Sequence, residues 1–314
     1  MITIVRYSAK EEITREWDRF IEGSKNGTFL FFRAYMDYHK ERFTDHSLMF
    51  YNDSKLIALL PANERENVLY SHQGLTYGGL IIGSDTTTIH VIEIFECLCN
   101  YLKSIGITRF RYKDIPWIYH TLPSEEPLYA MHVVCKNYKI VERDVSSTID
   151  LHNRLKWRES RKSGLRNARK HNIKVTFSED YATFWRILND NLLNKHNAKP
   201  VHTLEEITLL HDRFPRNILL AVAQQDGNII GGSVVYVTKQ VIHTQYISAT
   251  EEGKHMGAID ATIDFLLDSF DSQRYFDFGK STEANSYILN RNLLFQKEGF
   301  GARTVCYDTY EWTL

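Results

Sequence analysis

Apolar residues recur along this chain with two distinct periods. Ile92, Phe95, Leu98, Cys99 and Leu102 fall at helical spacing, as do Ile259, Ile263, Leu266, Leu267 and Phe270. Two other stretches read as strand, turn, strand: Ser47 to Pro61 about Asp53-Ser54, and Ile218 to Gly232 about Asp226-Gly227. The second turn is the sharper hairpin signal, because glycine accepts the positive φ that a tight turn requires.

The two hairpin turns, at Asp53 and Asp226, lie 173 positions apart, and the elements after them repeat in order. A strand follows each (Val68 to Tyr70; Val241 to Ile247), then a Gly-containing loop (Gly74 to Gly83; Gly253 to Gly257). Next comes one of the two periodic helices, and then a short strand (Arg109 to Tyr112; Arg274 to Phe278). Five matched elements in order predict two copies of one module. Each copy has leading helices: Trp17, Phe20 and Ile21 with Tyr35, Tyr38 and His39 in the first, Phe184 to Leu193 with Leu204 to Phe214 in the second. The order is that of an α+β fold, mixed α/β, with a mainly antiparallel sheet flanked by helices in each copy. A boundary after a strand at Lys139 to Arg143 divides the chain into 1–147 and 148–314.

Composition adds constraints. A chain of 314 residues has room for two domains, and 43% hydrophobic with 25% charged residues is the balance of a folded protein. No apolar run reaches membrane-spanning length and no basic, apolar leader opens the sequence, so a cytoplasmic location is expected. A formal net charge of −1 supplies no global field for nucleic acid or membrane. Locally the balance differs: nine Lys and Arg residues between Arg154 and Lys174 face only Glu159. Such a run is a solvated, salt-bridged helix face or a grip for phosphates. Cys97, Cys99, Cys135 and Cys306 lack metal-ligand spacing and read as reduced, buried thiols; no metal site is expected.

Several segments resemble the GNAT acyltransferase superfamily. Leu294-Phe-Gln-Lys-Glu-Gly-Phe300 is similar to the last helix and turn of those enzymes, with Phe295 where an aromatic, commonly tyrosine, stands. Phe276-Asp-Phe-Gly279, Trp17-Asp-x-Phe20, Gly27-Thr-Phe-Leu30 and the basic run Arg161 to Arg169 resemble its FemAB-like branch, which carries two GNAT-type domains in tandem. The resemblance implies two tandem GNAT-like domains. It also implies an acyltransferase, N- rather than O-directed, moving an acyl group from acyl-CoA or acetyl-CoA to a small-molecule or sugar-nucleotide acceptor of cell-envelope type. Transfer from an aminoacyl-tRNA, and a non-catalytic module that binds phosphate or nucleic acid, stay open beside it.

Candidate site residues follow. A carrier's pyrophosphate is expected where a Gly-containing loop opens a helix, at Gly253, Lys254, Met256, Gly257 and Ala258. Lys297 is the residue that the resemblance assigns to acceptor phosphates or developing charge. Asp277 alternates with Phe276 and Phe278, so it faces away from both, and it reads as a base, as an orienting carboxylate or as a partner of Lys280. Phe295 has no proton to give a leaving group, so Tyr287 or Tyr246 is the candidate donor. Arg158, Arg161, Lys162, Arg166 and Lys280 are the candidate substrate-binding cations.

Overall fold

The computed structural model describes residues 1–196, 198–283 and 286–314, without the side chains of Lys195 and His196. It contains two compact units. The first holds Met1–Asp144, a short piece ending at Tyr287, and Cys306–Leu314; the second holds Val145–Glu283 and Ile288–Val305.

Unit 1 opens with β1 (Ile2–Arg6), α1 (Glu11–Gly23) and the single turn α2 (Arg33–Met36). Short strands follow: β2 (Thr44–Asp45), β3 (Leu48–Asn52), β4 (Lys55–Leu60), β5 (Asn63–Arg65), β6 (Val68–Tyr70) and β7 (Ile81–Ile82). Then come α3 (Thr88–Ser104), β8 (Arg109–Lys113) and α4 (Glu126–Val134). The long strand β9 (Lys139–Asp150) leads into unit 2, which holds α5 (Glu159–Lys170), β10 (Lys174–Ser178), α6 (Tyr181–His196) and α7 (Leu204–Arg213). After these come β11 (Ile218–Gln225), β12 (Asn228–Val237), β13 (Val241–Ala249), α8 (Glu251–Met256), α9 (Ala258–Asp268) and β14 (Tyr275–Lys280). The small pair β15 (Thr282–Glu283) and β16 (Ile288–Leu289), α10 (Arg291–Gly299) and β17 (Arg303–Thr313) complete the chain.

In unit 2 the strands run β10-β11-β12-β13-β14-β9, antiparallel except for β13 beside β14. That parallel pair is joined by the α8–α9 crossover, as a parallel connection demands. One sheet face is sealed by the apolar stripe of α9, where Ile263, Leu266 and Leu267 meet Val235, Ile242, Phe276 and Phe278 in one buried cluster. Unit 1 repeats the arrangement. The α3 residues Val91, Phe95 and Leu98 share a buried cluster with Phe110 and Tyr112 of β8, and β8 runs parallel to β6. The two hairpins also correspond. Asp226 and Gly227 both take positive φ, 48° and 83°, as a two-residue primed turn requires, whereas in the looser first hairpin Asp53 alone does so, at 53°.

Three expectations are corrected here. The strand expected to end at Arg143 runs on to Asp150, through the expected division at residues 147 and 148, because Ser146, Ser147 and Thr148 are buried strand residues. The end of the chain does not stay with the second copy, since β17 returns to unit 1 and pairs with β8 from Thr309 to Thr313. Cys306 is exposed, and only Cys135 of the four cysteines is buried. Among the described residues no helix is long and apolar enough to cross a membrane.

Candidate active site

Strand alternation sends Phe276 and Phe278 into the α9 core and Asp277 to the opposite face of β14. Asp277 is fully buried there. Its neighbours in register are His243 on the parallel strand β13 and Thr148 on the antiparallel strand β9, so the three side chains form one row on one face. Asp277 Oδ1 accepts from Ser146 Oγ at 2.5 Å and Thr148 Oγ1 at 2.7 Å; Oδ2 accepts from His243 Nδ1 at 2.8 Å and from the Gly279 amide at 3.2 Å. Burial alone would raise this carboxyl, but the bonds from His243, Ser146 and Thr148 outweigh it and hold the group below the usual carboxylate range.

An ionised carboxylate only accepts, so His243 presents Nδ1–H to it, and in the neutral ring Nε2 then carries the lone pair. Among the described residues Nε2 has no hydrogen bond, and the side chain keeps 11% of its surface exposed. Asp277 thus orients an imidazole whose second nitrogen has no partner among the described residues.

Gly279 sits at the centre of this arrangement. Its φ is +72°, and a Cβ added there would stand 3.1 Å from His243 Cε1. Its carbonyl accepts from Lys297 Nζ at 2.8 Å, and the Lys280 carbonyl accepts from the same ammonium at 2.7 Å. Lys297 is 8% exposed, and burial lowers its pKa to about 8 although the Asp277 charge opposes the shift. Asp277, His243 and Lys297 are therefore gathered around one glycine. The sequence reading contained two of the three, and Asp277 takes His243 as its partner where Lys280 was the partner considered.

A bulge shapes the rest of the face. The β12–β13 register shifts after Val234, which pairs with Tyr246 while Val235 pairs with Thr244, leaving Gln245 as the extra residue. Tyr246 is thereby placed on the same face as His243. Its hydroxyl accepts from the His202 amide at 3.2 Å and lies 2.6 Å from His202 Nδ1, and its ring meets Trp185 edge-on. Burial raises its pKa.

Tyr287 is not brought to this group. It lies in the turn before β16 and is 86% exposed, because Asn290 caps α10 by accepting from the Leu293 amide and so starts that helix beyond it.

The expected phosphate loop is also different. Thr250 caps the Gly253 amide and Glu251 and Glu252 occupy the first turn, so the segment is the helix α8 rather than an open loop. Gly253 is buried where a side chain would collide with the Ile230 carbonyl. Lys254 donates to Asn191 Oδ1 at 2.5 Å and Glu251 Oε1 at 2.6 Å, Met256 packs beside the buried Ala258, and Gly257 turns the chain at φ +85°. Helix α5 lies across this corner. A Cβ at Gly257 would strike the Gly164 carbonyl, one at Gly164 would strike the Asp260 carboxylate, and Asn167 donates to the His255 carbonyl. Asp260 pairs with Arg161 at 3.3 Å, and its burial raises its carboxyl to about 6. The residues from Gly253 to Ala258 thus form a short helix and a tight turn with α5 packed on them, not the open loop expected.

No protein-family model matches the chain, and no curated protein matches its sequence. Solved structures do match in three dimensions. FemX superposes with a TM-score of 0.71 at 9% identity, covering 99% of this chain and 97% of its own. L-PGS from Bacillus licheniformis gives 0.60 at 12%, over 95% and 91%. A tandem GNAT protein from the clavulanic acid biosynthesis pathway gives 0.52 at 10%, over 100% and 98%. The fold is tandem GNAT-like. At these identities the likeness is one of fold alone.

The arginines of the basic run are matched by acids. Arg154 donates to Asp268, Arg158 lies 3.5 Å from Glu298 and over the exposed ring of Phe295, Arg161 pairs with Asp260, and Arg166 with Glu159. Lys162, among the described residues, has no ion pair, and Lys280 is exposed at the end of β14. The helix itself has 12 residues and begins at Glu159, inside the run.

Proposed function

We propose that this chain transfers an acyl or aminoacyl group from an activated ester or thioester to an amine on a sugar-containing or cell-envelope precursor. The observation that carries the reading is the Asp277–His243 pair with its open Nε2, set at the end of a parallel strand pair in a tandem GNAT-like fold. The acceptor nitrogen attacks the carbonyl carbon; His243 Nε2 takes the proton that this nitrogen sheds and returns it to the departing oxygen or sulfur as the old acyl bond breaks. Asp277 fixes the ring and stabilises the imidazolium formed midway. Lys297 acts as a positioning residue through the Gly279 and Lys280 carbonyls, and its charge supports negative charge developing nearby. Tyr246, on the same face, is the candidate second proton carrier through His202.

The covered α8–α9 corner favours a donor that is not held there by a pyrophosphate, and an aminoacyl ester on tRNA is one such donor. An acyl-CoA donor would need another seat for its phosphates. Purified protein incubated with a panel of acyl-CoAs or charged tRNAs, together with amino-sugar nucleotides, should yield an N-acylated product by mass spectrometry, lost in His243→Ala. No product from any pair, with steeply salt-dependent nucleic-acid binding in its place, would overturn the reading in favour of a non-catalytic module.

A further inference from the structure

Unit 1 contains a polar cavity of about 180 Å³ at the carboxyl ends of its parallel strands β6 and β8. Its walls come from Tyr70, Ser71, His72 and Gln73 after β6, from Arg111 and Lys113 on β8, and from Glu142 and Thr309. Arg111 and Lys113 lie two apart on one strand, opposite the face where Phe110 and Tyr112 pack against α3, so both cations share the cavity side. Open sheets commonly receive ligands at the carboxyl ends of parallel strands.

Three groups in this cavity are left with capacity for a ligand. Arg111 donates from Nε to Glu311 at 3.0 Å, and among the described residues its two terminal nitrogens have no partner. Glu142 accepts from Thr309 Oγ1 at 3.4 Å and has no ion pair within 4.0 Å among the described residues. His72 is 5% exposed and holds a left-handed backbone, φ +64°, a conformation that non-glycine residues rarely adopt. Its Nδ1 accepts from the Gly74 amide at 3.3 Å, which leaves Nε2 as an N–H donor with no partner among the described residues. Burial, with His39 nearby, lowers the pKa of this ring to about 3, so it is a neutral donor.

A lone anion would have Arg111, His72 and Lys113, whose ammonium also donates to the Leu75 carbonyl at 2.6 Å, but would face Glu142 as well; a lone cation would have Glu142 but face both Arg111 and Lys113. We propose that the cavity binds a small zwitterion of the α-amino acid type, its carboxylate on the Arg111 guanidinium and His72 Nε2–H and its ammonium on Glu142. The cavity is large enough for one such molecule. The proposal is independent of the chemistry assigned to unit 2.

Isothermal titration of the full chain with a panel of free amino acids tests it, with the N-acetyl derivative, the amide and inorganic phosphate as controls. At least one free amino acid should bind saturably, and its N-acetyl derivative and amide should each bind at least about tenfold more weakly. Glu142→Gln should abolish the preference for the free amino acid over its N-acetyl form. Arg111→Gln should weaken both by about tenfold, and His72→Asn, which tolerates the left-handed backbone, should weaken both by less. His243→Ala should change none of these values. Absence of saturable binding by every amino acid, or N-acetyl forms or phosphate binding as tightly as the zwitterion, would overturn the proposal.

Discussion

The two units place different chemistry on the same row of the same module. In unit 1 the row across the parallel pair reads Tyr70 on β6, Arg111 on β8 and Glu311 on β17; in unit 2 it reads His243 on β13, Asp277 on β14 and Thr148 on β9. Tyr70 and His243 are 173 residues apart, the same offset as the hairpin turns. Backbone position is thus held while the side chains diverge. Unit 1 spends its row on an arginine–glutamate pair, which fixes charge at a recognition cavity. Unit 2 spends it on a buried carboxylate with hydroxyl and amide donors on every side, which fixes the direction of one imidazole. The sheet supplies the register, and the residue chosen at one row decides between binding and proton transfer.

That contrast can be broken at several points. His243→Ala should lower the transfer rate by about 10²–10⁴-fold, the range of a lost general base, while Tyr70→Phe at the matching position leaves it within about threefold. Comparable losses in both would remove the distinction between the rows. Asp277→Asn should cost about 10²-fold or more, because an amide no longer enforces the Nδ1–H form of the ring. It should also flatten acid unfolding: a carboxyl depressed in the fold contributes stability that is present above the ordinary carboxylate pKa of about 4 and is lost as pH falls through the folded value. Denaturation midpoints followed from neutral to acid pH would read this.

Lys297 has the opposite signature. Its pKa is lowered to about 8, so the ammonium is present below that pH and neutralised above it. Transfer should fall on an alkaline limb near pH 8, and Lys297→Arg, which stays charged, should lose the limb even where its rate is reduced. A limb unchanged in the arginine variant would assign it to another group. The smallest contrast lies in the turns. Gly257→Ala adds a collision with the Gly164 carbonyl to a positive φ, whereas Gly227→Ala meets nothing within 4 Å. The first should therefore destabilise unit 2 well beyond the second, for which about 1 kcal/mol is expected from φ alone. Equal losses in urea denaturation would mean that α5 does not press on the α8–α9 corner.

Much of the fold was legible in local pattern. The repeat, the two hairpins, and the α3 and α9 stripes rest on period and turn chemistry, and the alternation of Phe276, Asp277 and Phe278 placed Asp277 on the correct face. The missing pieces are non-local. His243 sits in an ordinary apolar strand 34 residues before its partner, and only the parallel register brings the two together. Gln245 gives no signal of the bulge that turns Tyr246 onto the same face, and β17 returns to unit 1 through pairing that no local window contains. Two misreadings did have local cues. Thr250 followed by Glu251 and Glu252 is a helix start, which argues against an open phosphate loop, and Asn290 is a cap that keeps Tyr287 off α10.

The most direct test of the account is the tautomer of His243, read from two-bond proton–nitrogen correlations on protein labelled with nitrogen-15 histidine and assigned by His243→Gln. The account requires a ring at neutral pH protonated at Nδ1, with an unprotonated Nε2 that shifts when acceptor amines are added, and with the Nδ1 preference lost in Asp277→Asn. A ring carrying its proton on Nε2, or one indifferent to the Asp277 substitution, would contradict it.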